Sequence, residues 1–289
     1  MPRRSATPPP LRPARALLLP VDPRRFIPTP ARPVRAKARR LEGDSEIAPH
    51  SHPWAQVAIC ASGAARITAA HSTYLVPAWR AVWIPPRIEH LVTAVETAEL
   101  RTLYVHQGAG NVGPGVDVSQ QEAWRVCRVL EVSPLLRELV LQMDIEMDGS
   151  HNRDAAWLDR EHRLGQLALD ELRRAAPLRL GIDLPQDKRL RTLCEAVLAD
   201  PMRHTTLDGW ARQAGASTRT VARLFRQQLG TSFGPWRQQV LLARALALAA
   251  QGKPMAVIAA DLGYASPSAF SAMVRRSVGA PPSRFFAAA

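Results

Sequence analysis

Long hydrophobic runs are missing from this sequence. The longest candidate, 241–250, is Ala-rich and interrupted by Arg244, well short of the roughly 18 apolar residues that a membrane span needs. No membrane partner is expected. Cysteine is scarce: Cys60, Cys127 and Cys194 are far apart, odd in number and without a C-x-x-C pair. That excludes a disulfide scaffold and a thiolate zinc knuckle, and leaves three small hydrophobes in a reducing cell. Behind Arg3-Arg4 the only apolar stretch, 16–19, is too short for the core of an export signal, so a soluble, cytoplasmic protein is expected. Acidic residues are few at both ends. Residues 1–40 carry 11 basic and 1 acidic residue, 41–184 carry 13 and 19, and 185–289 carry 14 and 5. The net charge of +13 therefore sits at two basic ends around an acidic middle. A basic C-terminal part is the footprint of a polyanion, nucleic acid or membrane surface, and motifs must choose between them.

What is present is enough for two cores: 289 residues, 46% of them hydrophobic. Residues 1–32, rich in Pro, Arg and Ala, lack periodicity and are expected to form a disordered basic arm, either touching DNA or merely solvated. Over 33–110 short β-rich runs (57–60, 65–68, 73–76, 81–84, 90–95 and 100–105) are broken by Ser62-Gly63, Pro77 and Pro85-Pro86, as in a small barrel or sandwich. Residues 111–184 read as a helical dimerisation and linker region. One helix opens at Ser133-Pro134, a second spans 154–175, and 177–185 is a linker. From 185 to 289 everything reads as helix: 187–199, 206–213, 217–229, 233–250, 255–262, 266–278 and 281–286. The predicted fold class is α+β in two domains, a small N-terminal β-barrel followed by an all-α domain.

Within the helical domain, Ala211-x3-Gly215-x5-Val221 has the packing signature of a helix-turn-helix. A small residue stands at the helix crossing, Gly supplies the left-handed turn, and an apolar residue anchors the second helix. The pattern returns 48 residues on as Ala259-x3-Gly263, with Phe270 as anchor after a turn one residue longer. Ser217 and Ser266 stand at matching N-caps, the latter followed by Pro267. On the first recognition helix Val221, Leu224 and Phe225 share one face while Arg219, Arg223 and Arg226 share the other, with no acidic counterpart. Arginine reads guanine bidentately, so this face suits the major groove of double-stranded DNA. In the second unit Ser268, Ser271 and Ala272 are exposed and Arg275-Arg276 follow, which suggests phosphate contact more than base selection.

The stretches 215–225, 230–236 and 263–283 resemble the AraC/XylS-type DNA-binding domain in register. The resemblance implies a double helix-turn-helix, with base contacts from Arg219, Ala222 and Arg223 in the first unit and Ser268, Ser271 and Ala272 in the second. Ser217, Thr218, Arg226, Ser266, Arg275 and Arg276 are expected alongside them. Two alanines at contact positions, and Val274 where an aromatic is usual, weaken the second unit's expected readout. The resemblance also implies an operator, a homodimer and, for an activator, RNA polymerase as partners.

In the β-rich half, His50-Ser51-His52-x3-Gln56-x6-Gly63 and Pro85-Pro86-Arg87-Ile88-Glu89-His90 resemble the two cupin motifs, with Gln56 in place of Glu and Arg87 in place of Gly. His50 and His52 are expected on one side of a strand, with His90 opposite. Three imidazoles suit a divalent transition metal. They equally suit the polar lining of a small-molecule effector pocket, or no ligand role. Trp54, Trp79 and Trp83 read as barrel core or mouth. Two other function classes fit parts of the chain: a metal-dependent cupin enzyme with an accessory helical domain, and an architectural DNA binder without sequence preference. Neither accounts for both halves.

Overall fold

A computed structural model describes residues 16–149, 153–178, 180–279 and 281–286. The N-terminal half is built from β1 (Ala16–Leu18), β2 (Val34–Leu41), β3 (Ser45–His50), β4 (Ala55–Ser62), β5 (Ala64–Ala69), β6 (Ser72–Pro77), β7 (Arg80–Ile84), β8 (His90–Ala94), β9 (Ala98–Val105), β10 (Arg128–Glu131), β11 (Pro177–Leu178) and β12 (Gly181–Asp183). They form two six-stranded sheets, ordered β1-β3-β8-β5-β6-β12 and β11-β10-β7-β4-β9-β2. Side chains from both sheets meet in one interior, among them Ile47, Ile67 and Val92 from the first and Ala58, Cys60 and Leu100 from the second. Central β4 is apolar on both faces: Ala58 and Cys60 face this interior, while Val57 and Ile59 face the helices outside. Burial on both sides is why it reads as a continuous apolar run.

The arm expected over 1–32 is ordered from Ala16 onward. β1 pairs in parallel with β3, and Pro23–Phe26 forms a 3-10 turn capped by Asp22; residues 1–15 lie outside the described residues. β2 alternates as a strand should, Val34 and Ala36 packing under the helices while Arg35, Lys37, Arg39 and Leu41 occupy the opposite face. Arg35 is fully buried and pairs with Asp148 at 2.8 Å.

Two helices cover the outer face of the second sheet, α1 (Pro134–Gln142) and α2 (Ala155–Arg174), capped by Ser133 and Asp154. Leu136, Leu139, Val140, Ala168 and Leu172 fill the layer beneath them. The segment 177–185 is not a free linker: β11 pairs with β10 and β12 pairs with β6, so the chain is stitched to both sheets before it leaves. Strands of two and three residues are too short to show periodicity, and Pro177 and Pro185 mimic linker composition.

The C-terminal half holds α3 (Lys188–Ala199), α4 (Leu207–Gln213), α5 (Thr218–Leu229), α6 (Phe233–Ala250), α7 (Met255–Asp261), α8 (Pro267–Val278) and α9 (Pro282–Phe286). α6 is buried around most of its circumference. Trp236, Val240 and Ala243 pack with α3, α4 and α5, while Leu242, Ala245 and Leu246 join a cluster that includes Phe270 of α8 and the sandwich residues Ile67 and Val76. Among the described residues no helix is long and apolar enough to cross a membrane.

Candidate nucleic-acid interface and effector pocket

The two helix-turn-helix units are local copies of one another. In the first, Ala211 is fully buried, Gly215 takes φ +63°, and the Ala216 amide donates to the Ala211 carbonyl at 3.0 Å. In the second, Ala259 is buried, Gly263 takes φ +73°, and the Tyr264 amide donates to Ala259 at 2.9 Å. A positive φ is where Gly is favoured over every residue with a Cβ. The second turn runs one residue longer before α8, as the sequence spacing requires.

Several candidate contact residues also cap or brace the helices. The Ser217 hydroxyl accepts from the Thr220 amide at 3.1 Å and the Ser266 hydroxyl from the Ala269 amide at 3.2 Å, so both are N-caps. Thr218 donates its hydroxyl to Asp208 at 2.8 Å. That bond, followed by Arg212, holds the Asp208 carboxyl below the usual carboxylate range. Arg219, Arg223 and Arg226 are exposed on α5, and among the described residues none of them forms an ion pair. Arg223 reaches only Gln227, at 3.4 Å. Ala222 is half-buried between them. On α8, Ser268, Ala272, Arg275 and Arg276 are exposed and Ser271 is half-buried, while Phe270, Met273 and Val274 are buried. Val274, in the place where an aromatic is usual, thus serves the core and not the surface.

The three histidines of the sandwich come together. His50 of β3 and His90 of β8 are direct cross-strand partners with ring centroids 4.3 Å apart. His52 does not lie on a strand: β3 ends at His50, and the following loop carries His52 to 5.3 Å from His90 and 6.2 Å from His50. Each Nδ1 lies 2.9 Å from a backbone carbonyl, of Ala48, Trp54 and Ile88 respectively; in His50 and His90 a neutral ring donating there keeps its lone pair on Nε2. Desolvation lowers all three pKa values, that of His90 to about 3. Arg87, in the place of the cupin glycine, takes φ +64° and donates its amide to the His52 carbonyl at 2.8 Å, closing the turn behind the cluster.

The donor set does not fit the divalent metal that the cupin resemblance implies. The Gln56 side-chain amide lies 2.7 Å from His52 Nε2. The Gln56 atom there is the carbonyl oxygen Oε1, an acceptor, so an Nε2–H of His52 donates to it and offers a metal no lone pair. Among the described residues no group of three His, Cys, Asp or Glu is placed to hold a metal ion. Sequence reasoning missed the basic residue beside this cluster, Lys37 of β2, whose amine donates to the Tyr104 hydroxyl at 2.8 Å and acts electrostatically on all three imidazoles. Its signal was the alternation 34–41, hidden by three arginines and a lysine. Trp54 stacks on His52 at 5.7 Å, whereas Trp83 is buried outside the sandwich, donating to the Trp124 carbonyl at 2.9 Å. Trp79 sits under Arg137, at 4.3 Å. Cys60 and Cys194 are buried, Cys127 is half-buried, and all three are free thiols.

A paired helix-turn-helix behind a β-sandwich that carries a histidine cluster defines a DNA-binding regulator with a ligand-binding domain. Family models agree: residues 35–174 match the AraC-like ligand binding domain and 210–288 a helix-turn-helix domain. The chain belongs to the AraC family of transcription regulators, whose members are not enzymes. It is 31% identical over 238 residues to the HTH-type transcriptional regulator NimR of Escherichia coli (strain K12), covering 82% of this chain and 81% of that protein. It is 32% identical over 118 residues to the arabinose operon regulatory protein of Salmonella typhimurium, covering 39% of this chain and 41% of that protein. Among solved structures, unsaturated fatty acid-bound ToxT of Vibrio cholerae aligns over 88% of this chain and 94% of that one, at 12% identity and a TM-score of 0.35.

Proposed function

We propose that this protein is a cytoplasmic, homodimeric regulator that binds an operator through Arg219 and Arg223 and is switched by a small molecule held at His50, His52 and His90. The observation that carries the DNA half is the exposed arginine face of α5, free of ion pairs on a helix whose other face is locked by Val221 and Phe225. A guanidinium row without ion pairs breaks no salt bridge when it turns toward bases and phosphates. α6, with 18 residues, is about 27 Å long. It therefore spaces the two recognition helices near the roughly 34 Å repeat of B-DNA, so both can enter successive major grooves on one side of the duplex. Arg275 and Arg276 at the exposed end of α8 suit phosphate contact.

The sensing half rests on the gathered imidazoles and on the sheet edge that passes directly into α3, which gives a ligand-dependent change a short path to the DNA-binding helices. Exposed Leu135 and Leu141 on α1 and Leu158 and Leu167 on α2 suit a dimer contact, and an activator built this way would also touch RNA polymerase. Footprinting of the full-length chain on the DNA upstream of its own and neighbouring genes tests the reading. A protected site of defined sequence, outcompeting random DNA by 10³-fold or more as specific regulators do, is expected. Equal affinity for random DNA would leave only an architectural binder.

A further inference from the structure

Two basic side chains line a small cavity inside the sandwich, and among the described residues no carboxylate joins them there. Lys37 and Arg39 of β2 face Ile47, His50, Gln56, Val92, Leu100 and Thr102 across a cavity of about 10 Å³. Lys37 is half-buried, its single hydrogen bond goes to the neutral Tyr104 hydroxyl, and its amine stands 5.0 Å over the same ring. Arg39 reaches only the Leu19 carbonyl, at 2.8 Å. No carboxylate lines the cavity. Two buried polar atoms nearby are also without a partner among the described residues: Nε2 of His90, whose ring centroid lies 4.3 Å from that of cavity-lining His50, and the indole N–H of Trp54, whose ring lies 5.7 Å from that of Tyr104. Buried charges are normally paired and buried polar atoms bonded. A desolvated amine, an unused donor and an unused acceptor therefore surround one cluster of rings.

We propose that this interior binds an organic carboxylate, its charged group on the Lys37 amine and a hydroxyl or N–H of the same molecule donating to the imidazole Nε2 of His90. This deepens the effector-pocket reading above and rests on it. An anion fits where a metal does not: Lys37 and Arg39 repel a cation and attract a carboxylate, and a charge-assisted bond in a low-dielectric interior is the strong kind. Desolvation already pulls the Lys37 amine down to about 8; a carboxylate beside it restores the charged form. The cavity now has room for about one water molecule, because Pro20 and Val21 close one side of it. The body of the ligand therefore takes the place of this segment, which no strand pairing holds.

Thermal denaturation and calorimetry of the full-length protein test this with a panel of aliphatic and aromatic monocarboxylates, with and without a 2-hydroxyl, each against its neutral amide. Chloride, inorganic phosphate, Zn²⁺ and Ni²⁺ complete the panel. The expected result is stabilisation by one or more carboxylates, none by the matched amides, and a further gain from the 2-hydroxyl. Lys37→Met abolishes the preference, weakening carboxylate binding about 10- to 100-fold, and Lys37→Arg retains part of it. Without any ligand, Lys37→Met raises Tm by roughly 2–4 °C, since it removes a desolvated cation whose one hydrogen bond among the described residues goes to a neutral hydroxyl. Indifference to every carboxylate, equal response to the amides, equal stabilisation by chloride or phosphate, stoichiometric metal binding, or a lowered Tm for ligand-free Lys37→Met would each overturn the proposal. Footprinting separates the two readings: a protein that protects its operator but ignores carboxylates fails here alone, and one that binds carboxylates but no specific DNA fails the regulator reading alone.

Discussion

The indole N–H of Trp236 donates to the backbone carbonyl of Asp183 at 2.8 Å, tying the helix that joins the two helix-turn-helix units to the last strand of the sandwich. The neighbours of Asp183 follow the same direction. Ile182 and Leu184 are buried in the core of the DNA-binding half, while their own strand pairs with β6. The two domains therefore share residues across their boundary.

A fragment comprising residues 185–289 loses Ile182 and Leu184 from its core, at about 2–5 kcal/mol for each large apolar side chain removed. It is expected to be far less stable than a fragment starting at 181, by urea denaturation followed with circular dichroism. Equal midpoints would show that the shared strand does not matter to the helical core.

Arg223→Ala should weaken operator binding by about 1–3 kcal/mol and relax base preference in one half of the site. Arg276→Ala should weaken all sequences alike and reduce the slope of log K against log salt by about 1. Titrations at several salt concentrations against operator and scrambled DNA separate the two. Losses of the same size on both DNAs for Arg223→Ala would remove it from base readout.

The two turn glycines differ in one respect. A Cβ at Gly215 meets open space, whereas one at Gly263 comes 2.5 Å from Met202 Cε. Both positions have positive φ, so Gly215→Ala should cost about 1 kcal/mol from backbone strain alone. Gly263→Ala should cost more, and Gly263→Ala combined with Met202→Ala should show non-additivity in a double-mutant cycle. Additive costs would mean that Met202 moves aside freely.

His90 makes stability depend on pH in the acid range. Below about 6.5 the unfolded chain takes up a proton on this ring that the folded chain refuses until about 3. Stability from this group is therefore complete above 6.5 and falls as the solution is acidified, by on the order of 2 kcal/mol at pH 5. His90→Gln should flatten that slope in urea melts between pH 7.5 and 5. Parallel slopes for the two proteins would sink the assignment.

Arg87 occupies a left-handed conformation that glycine adopts without strain. Arg87→Gly should leave the protein equally stable or up to about 1 kcal/mol more stable, measured by thermal melts. A clear loss of stability would instead assign the Arg87 side chain a packing role.

The helical half was almost fully legible in the sequence because its information is local. Ser217, Gly215 and Val221 stand within one turn-and-helix unit, and caps, left-handed glycines and a 3.6-residue apolar period each report on neighbours a few positions away. The strands rich in β-branched residues were legible for the same reason. β2 was not, since Arg35, Lys37 and Arg39 look like surface charge until Asp148, Tyr104 and the opposite sheet are brought against them. β11 and β12 were hidden because a strand of two or three residues exists only through its partner.

By itself the sequence determined the two-domain order, the repeated helix-turn-helix and the arginine face of α5, all consequences of short-range periodicity and turn chemistry. Only the tertiary structure decided which groups meet in the sandwich interior. Whether three histidines hold a metal depends on which ring nitrogens keep a free lone pair, and His52 Nε2 faces the carbonyl oxygen of Gln56. Whether a lysine faces solvent or the interior depends on which strand lies opposite, and Lys37 turns inward beside Tyr104. Both outcomes come from contacts between strands far apart in the chain, which no local pattern encodes.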